Sequence, residues 1–330
     1  MIHIAFAGLR HEHIFGLYRA VKAHPGCRVI GAWEEDAAAA ETAGRLIDEP
    51  FYPTYEALLD DRRVDVVAVG DYYGIRGKRI IAALETGHPV LSDKPICTSL
   101  SELDRIETLS REKHLPVGCM LDLREDGALR KAAELIKCGE IGEVRAVHFT
   151  AQHPLKYGLR PSWYFEDGRH GGTFNDIAIH GLDAVAWMTG YGYDKTLFAR
   201  QWNVYAEKEP QFSDSAHFSA LLSNGAALTG DVSYAAPTGA AFGLPSYWRF
   251  TVWGADGMIE THLGAESVLL ARTDDEKPRF LPALSKGETV LDAFLRELAD
   301  GTLDNTAGVI KASRAALDLQ QFADQSGMNL

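Results

Sequence analysis

The 330-residue chain is poor in the features that mark several large protein classes. It has four cysteines, Cys27, Cys97, Cys119 and Cys138, and no Cys-x-x-Cys spacing. That pattern excludes a disulfide framework and paired zinc knuckles, and it predicts reduced thiols in a cytosolic protein. Basic charge is also scarce: 33 Lys and Arg stand against 46 Asp and Glu, a formal net charge of −13. No basic run interrupts this balance, which argues against a nucleic-acid surface and against binding to an anionic membrane. No apolar run approaches the roughly 18 residues of a membrane-spanning helix. The first residues run straight into an apolar stretch without a basic leader, so a cytoplasmic location is expected. There is no internal repeat and no low-complexity segment.

What is present is alternation. Ile2–Ala7 reads as a short buried strand, and Ile14, Leu17, Tyr18 and Val21 then follow at helical spacing until His24-Pro25-Gly26. Cys27–Trp33 and residues 64–69, 89–92 and 116–120 read as further strands. Helices separate them over residues 37–47 and 75–85 and from Ser99, whose Ser-Leu-Ser-Glu has the capping-box form. This predicts a Rossmann-like, doubly wound parallel α/β sheet for dinucleotide binding over residues 1–121. Beyond it, residues 197–272 read as a succession of strands, with Asn224-Gly225 and Asp256-Gly257 as hairpin turns, and two helices close the chain. Residues 122–330 are therefore expected to form an α+β domain with a large, mainly antiparallel sheet, for substrate binding and oligomerisation.

Candidate chemistry lies at the strand ends. Gly8 stands where the first strand turns into the first helix, the place where a pyrophosphate meets a helix N-terminus. A full glycine fingerprint also needs glycines at positions 10 and 13; the chain has Arg10 and His13, with Leu9, His11 and Glu12 around them. Arg10 is expected to neutralise pyrophosphate charge from its side chain. Glu34 and Glu35 end the second strand, where a carboxylate accepts from ribose hydroxyls and repels a 2′-phosphate, favouring NAD over NADP. Asp93-Lys94-Pro95 follows a later strand, and a lysine there holds positive charge against a developing alkoxide. In the run Gly171 to Asp183, helical spacing puts Asp176, His180 and Asp183 on one polar stripe bordering a cleft. His180 then reads as general base and Asp176 as its orienting partner.

Each candidate also has a plainer reading: solvated acids at a strand end, a turn lysine, an Asp complementing a helix dipole. In the segment before Gly171, Trp163 suits a sugar face and Arg160 or Lys156 a carboxylate, yet the same residues suit domain packing. A metal site from His153, His170, Asp176 and His180, or from His11 and His13, matches no closed ligand spacing, and no metal is expected.

Together these residues resemble the glucose–fructose oxidoreductase, inositol dehydrogenase and rhizopine-catabolism (Gfo/Idh/MocA) family. Asp93-Lys94-Pro95 resembles its Glu-Lys-Pro motif, and Gly171 to Asp183 its G-G-x-x-x-D-x-G-x-H-x-x-D run. Glu140-Ile141-Gly142-Glu143-Val144 is similar to its G-x-I-G-x-V element, and the stretch from Gly254 to Glu260 to its late G-x-x-G-x-I-E hairpin. The resemblance covers nearly the whole chain. It implies a catalytic Lys94, an orienting Asp176 and an acid/base His180; Arg160, Trp163 and Asn175 are expected toward the substrate beside them. It matches Gly8 and Glu34 to cofactor positions, and Leu9, Arg10, His11, His13, Asp71, Asp93, Lys94 and Pro95 are expected around the NAD with them. The activity implied is NAD(P)-dependent oxidation or reduction of a secondary alcohol or ketone on a sugar, cyclitol or polyol, by a homodimer or homotetramer. A redox-neutral lyase or hydrolase using bound NAD transiently, or a non-catalytic nucleotide- or sugar-binding regulator, are the alternatives. Four departures stand out: the bulky loop at residues 9–13, Asp93 for Glu, Ala178 for Gly, and Asp71-Tyr72-Tyr73-Gly74-Ile75-Arg76 where relatives read T-P-x-x-x-H.

Overall fold

The computed structural model describes residues 1–239, 243–245 and 247–326. Its contacts divide the chain into two compact units. One comprises Met1–Met120 with Gly168–Gly171 and Thr289–Ile310; the other comprises Leu121–Asp167, Gly172–Glu288 and the residues from Lys311 on. Two later segments thus return to the first unit, which a single boundary after 121 does not describe.

In the first unit the apolar runs become β1 (Ile2–Ala7), β2 (Cys27–Trp33), β3 (Val66–Val69), β4 (Val90–Ser92) and β5 (Val117–Cys119). Between them lie α1 (Ile14–Ala23), α2 (Ala37–Ala43), α3 (Tyr55–Leu59), α4 (Tyr73–Glu85) and α5 (Leu100–Lys113). The strands pair in parallel in the order β2-β1-β3-β4-β5. All four residues of β3 are buried, as a strand covered on both faces requires. α1 buries Ile14, Leu17, Tyr18 and Val21, the stripe its spacing predicts. Ser99 caps α5 by accepting the Glu102 amide at 3.3 Å. Strand order reverses between β1 and β3, so the carboxyl ends of β1, β3 and β4 open onto the switch point where such sheets bind ligands.

The second unit contains α6 (Gly127–Lys137), β6 (Val144–Gln152), α7 (Ile179–Thr189) and β7 (Tyr193–Trp202). β8 (Ser215–Leu222), β9 (Ala227–Ser233), β10 (Arg249–Gly254), β11 (Gly257–His262), β12 (Ser267–Arg272) and β13 (Arg279–Pro282) complete its sheet. The eight strands run β13-β12-β11-β10-β6-β9-β8-β7, every pair antiparallel except β6 with β9. Asn224-Gly225 joins β8 to β9, and the turn before Gly257 joins β10 to β11, where the dipeptide signals put them. On the inner face Phe149, Phe218 and Phe250 form one aromatic cluster. α7 comes close to it because Gly181 has no side chain: a Cβ there would lie 2.3 Å from the Phe149 ring.

Two helices follow the sheet, α8 (Val290–Asp300) and α9 (Asp304–Gln325). α8 rejoins the first unit, with Leu291 and Phe294 in the core beside Ile4, Phe6 and Leu91. The four cysteines are free thiols, and Cys138 alone is exposed. Among the described residues no helix is long and apolar enough to cross a membrane.

Candidate functional site

β1 ends at Gly8, whose φ of +74° and surroundings admit no side chain: a Cβ would come 2.4 Å from that of Asp71. The loop after it turns its groups inward. The Leu9 amide donates to Glu34 at 2.5 Å, and the Asp36 amide donates to the other Glu34 oxygen at 2.8 Å. Arg10 Nε lies 3.1 Å from Glu34 and 2.9 Å from Asp71, while its Nη2 reaches Glu35 at 3.3 Å. The same guanidinium stacks on Tyr72, 4.8 Å from the ring centre. Burial raises the pKa of Glu34 and of Asp71; amide donors and Arg10 act against it. Arg10, expected on a pyrophosphate, is thus placed on carboxylates of its own chain. Glu34, expected to face a ribose, has a fully buried side chain.

β4 delivers Asp93-Lys94-Pro95 into a second cluster. One Asp93 oxygen accepts from Arg76 Nη2 at 2.8 Å and from His11 Nδ1; the other accepts the Lys94 amide at 2.7 Å. On its far side His11 Nε2 lies 3.1 Å from the Tyr73 hydroxyl. An ionised carboxylate only accepts, so Nδ1 carries the His11 proton and Nε2 accepts from Tyr73. Burial pushes His11 down to about 4, against the pull of Asp93. Burial would raise Asp93, yet Arg76 and His11 hold it well below the usual carboxylate range. Arg76 further donates to the carbonyls of Asp71 at 2.7 Å, of Pro95 at 3.2 Å and of Lys94. The Lys94 ammonium lies 5.7 Å from the centre of the Tyr73 ring, and the His170 ring packs on the same tyrosine at 5.5 Å.

His13 is half exposed, with Nδ1 3.6 Å from Asp93. Donor atoms of His11, His13 and Asp93 all fall within 4.8 Å of one another, a spacing a metal ion tolerates. The Asp93 oxygens, however, already accept from Arg76, His11 and an amide, and a guanidinium in contact opposes a second cation. The trio is a hydrogen-bonded cluster.

The second unit holds the other candidates. Residues Phe174–Ala178 form a π-turn ahead of α7, so uniform helical spacing does not apply to the run that carries them. The predicted polar stripe divides accordingly. Asp176 accepts from the Tyr164 hydroxyl at 2.5 Å and from that of Tyr234, and the two hydroxyls are 3.0 Å apart. Asp183 instead takes a two-pronged ion pair from Arg124, with Nε at 2.8 Å. His180 packs on Trp248 at 5.4 Å; Trp248 meets His153 at 5.5 Å, and His153 meets Tyr247 at 4.7 Å. Arg160 donates to the carbonyls of Leu155 and Pro154 at 3.0 and 3.3 Å and stacks on Tyr164, so it braces its own loop. Trp163 is buried against Tyr164, and Asn175 is fully buried. Tyr234 was no sequence candidate: it follows β9, 58 positions from Asp176, and no local spacing marks it.

A family model described as an oxidoreductase family with an NAD-binding Rossmann fold matches residues 3–120, and the GFO/IDH/MocA C-terminal domain matches residues 129–260. The chain belongs to the Gfo/Idh/MocA family. An inositol 2-dehydrogenase 3 from Saccharopolyspora erythraea is 25% identical over 180 residues, 54% of this chain and 49% of that protein. A myo-inositol 2-dehydrogenase from Thermotoga maritima is 24% identical over 277 residues, 82% of this chain and 76% of its own. The chain spans about half the length of several curated relatives it matches. A solved levoglucosan dehydrogenase in complex with NADH and levoglucosan superposes with a TM-score of 0.80 at 18% identity. That match covers 99% of this chain and 98% of the other, and at such identity it shows the fold.

Against the Gfo/Idh/MocA pattern, three of this chain's departures meet in one place. His11 from the altered loop and Arg76 from the altered T-P-x-x-x-H stretch are both bonded to Asp93 of the altered Glu-Lys-Pro motif. Features that suit an NAD remain beside them. Gly8 keeps the end of β1 clear, the first turn of α1 carries no acid to oppose a phosphate, and Glu34 and Glu35 end β2.

Proposed function

We propose that this Gfo/Idh/MocA member is an NAD-dependent dehydrogenase that interconverts a secondary alcohol and a ketone on a sugar, cyclitol or related polyol. The observation that carries the reading is Lys94, buried at the carboxyl end of β4 with both of its peptide groups hydrogen-bonded. Relatives that act on inositols and on levoglucosan support the substrate class.

NAD would be held where β1 ends at Gly8 and α1 begins, with Glu35, exposed beyond the buried Glu34, at the ribose end and Asp71, Asp93 and Pro95 nearby. NAD is favoured over NADP because Glu34 and Glu35 oppose a 2′-phosphate. When bound, the nicotinamide supplies a hydride acceptor. The chain's own residues do the rest. His180 takes the hydroxyl proton as general base, and the Lys94 ammonium holds the developing alkoxide by charge. Asp176, fixed by two tyrosine hydroxyls, supports the imidazolium that forms. A homodimer or homotetramer in the cytoplasm belongs to the same reading, and light scattering reads the assembly.

Calorimetry with NAD and NADP, followed by absorbance of NADH with myo-inositol, levoglucosan and other neutral polyols, tests it. NAD binding with NADH release is expected, abolished in Lys94→Ala. Binding without NADH release from any polyol overturns the dehydrogenase, and no binding overturns the cofactor.

A further inference from the structure

We propose that His11 and Arg76 are positioning residues for Lys94, and that the loop occupying the glycine-loop position serves this clamp. The proposal rests on the reading of Lys94 as the catalytic lysine. Arg76 is fully buried, and its bonds converge on one segment: the Asp93 carboxylate and the carbonyls of Lys94 and Pro95. Asp93 in turn accepts the Lys94 amide. Both peptide groups of Lys94 are therefore pinned.

His11 closes the ring of contacts. Its Nδ1–H is on Asp93, its Nε2 is on the Tyr73 hydroxyl, and the Tyr73 ring lies beneath the Lys94 ammonium at 5.7 Å. Arg76 covers the same ring, 4.7 Å from its centre. The loop's amides agree with this use. The Leu9 amide goes to Glu34 and the His11 amide to the Gly70 carbonyl at 3.3 Å, so donors that a glycine loop aims at phosphate act inside the protein. The shortened acid fits too, because Asp93 is one methylene shorter than Glu and leaves room for the imidazole between it and Tyr73. The three departures from the family pattern are thus one interlocked replacement.

The test uses the full chain with His11→Leu, His11→Asn and Tyr73→Phe. Three quantities are read: kcat and KM for NAD with a neutral polyol that releases NADH, NAD affinity by calorimetry, and reductive dimethylation of Lys94 by formaldehyde and borohydride. Peptide mass spectrometry follows Lys94 against the exposed Lys208. Lys94 is 3% exposed and should label slowly in the wild type. In His11→Leu we expect Lys94 labelling about tenfold faster and kcat about thirtyfold lower, with KM for NAD within about threefold. His11→Asn, which keeps an N–H for Asp93, should restore both to within about threefold of wild type. Tyr73→Phe keeps the ring, and should speed labelling by about threefold even if His11→Leu does not fold. Unchanged Lys94 labelling in the folded variants overturns the clamp. So does a raised KM for NAD at unchanged kcat, which would return the loop to phosphate binding. If the wild type oxidises no polyol the dehydrogenase reading fails, while the labelling ratio still decides whether His11 holds Lys94.

Discussion

Arg76 and Asp93 form an ion pair 2.8 Å long in which neither side chain has any solvent exposure. Removing one partner of such a pair leaves a buried charge without compensation, at a cost of about 3–5 kcal/mol. Arg76→Met should lower the urea midpoint accordingly. Arg76→Lys keeps the charge but not the fork that reaches three carbonyls, and should fall between Met and wild type. A Lys variant as unstable as Met would show that geometry, not charge, dominates the pair.

His11 gives the first unit a pH dependence of definite sign. Its folded pKa is pushed down to about 4, below the ordinary value of 6.5. Folding therefore favours the neutral ring, and the contribution is complete above pH 6.5 and lost as pH falls toward 4. The loss is about 3 kcal/mol. Asp93, held low, adds its own loss only below the ordinary carboxylate range. Urea unfolding of wild type and His11→Asn between pH 7 and 4 isolates the histidine: the wild type should lose stability more steeply. Parallel curves would refute the assignment of a neutral, buried His11.

The parts of this molecule that were legible in the sequence are those written in local spacing. The apolar face of α1, the capping serine of α5 and the two glycine turns each need only a few neighbouring residues to be recognised. Gly8 was legible because it stands where the first strand turns into the first helix, and the structure adds that this turn must leave room for Asp71. The commitments of charged side chains were not, since Arg10 finds Glu34 and Asp71 only once three strands are aligned. The π-turn escaped for a different reason: a period of 3.6 residues assumes that no extra residue enters a turn, and at residues 174–178 one does. The return of α8 escaped because an apolar helical face does not say which core it joins.

Tyr234 and Tyr164 share one buried acceptor, so their contributions should not add. Replacing either by Phe takes a donor from Asp176 and should cost about 1–3 kcal/mol in urea unfolding. The double variant should differ from the sum by about 1 kcal/mol, since the two hydroxyls also meet at 3.0 Å. Strict additivity would mean that only one hydroxyl is bonded to Asp176 in solution.

Arg10 gives a pH dependence opposite to that of His11. Its guanidinium lies against Glu34 and Asp71, both of whose pKa values burial has already raised. Without it, desolvation acts with less opposition and both values rise further. A carboxyl group whose folded pKa exceeds its unfolded value contributes stability that is present below the unfolded pKa and lost as pH rises through the folded one. Arg10→Ala should therefore match the wild type near pH 4 and fall behind it toward pH 7, by about 3 kcal/mol at neutrality. The difference between variant and wild type is the quantity to plot, because the His11 loss is common to both chains and cancels. A deficit that stayed constant from pH 4 to 7 would mean that Arg10 acts through its stacking on Tyr72, since that contact does not titrate with the two acids.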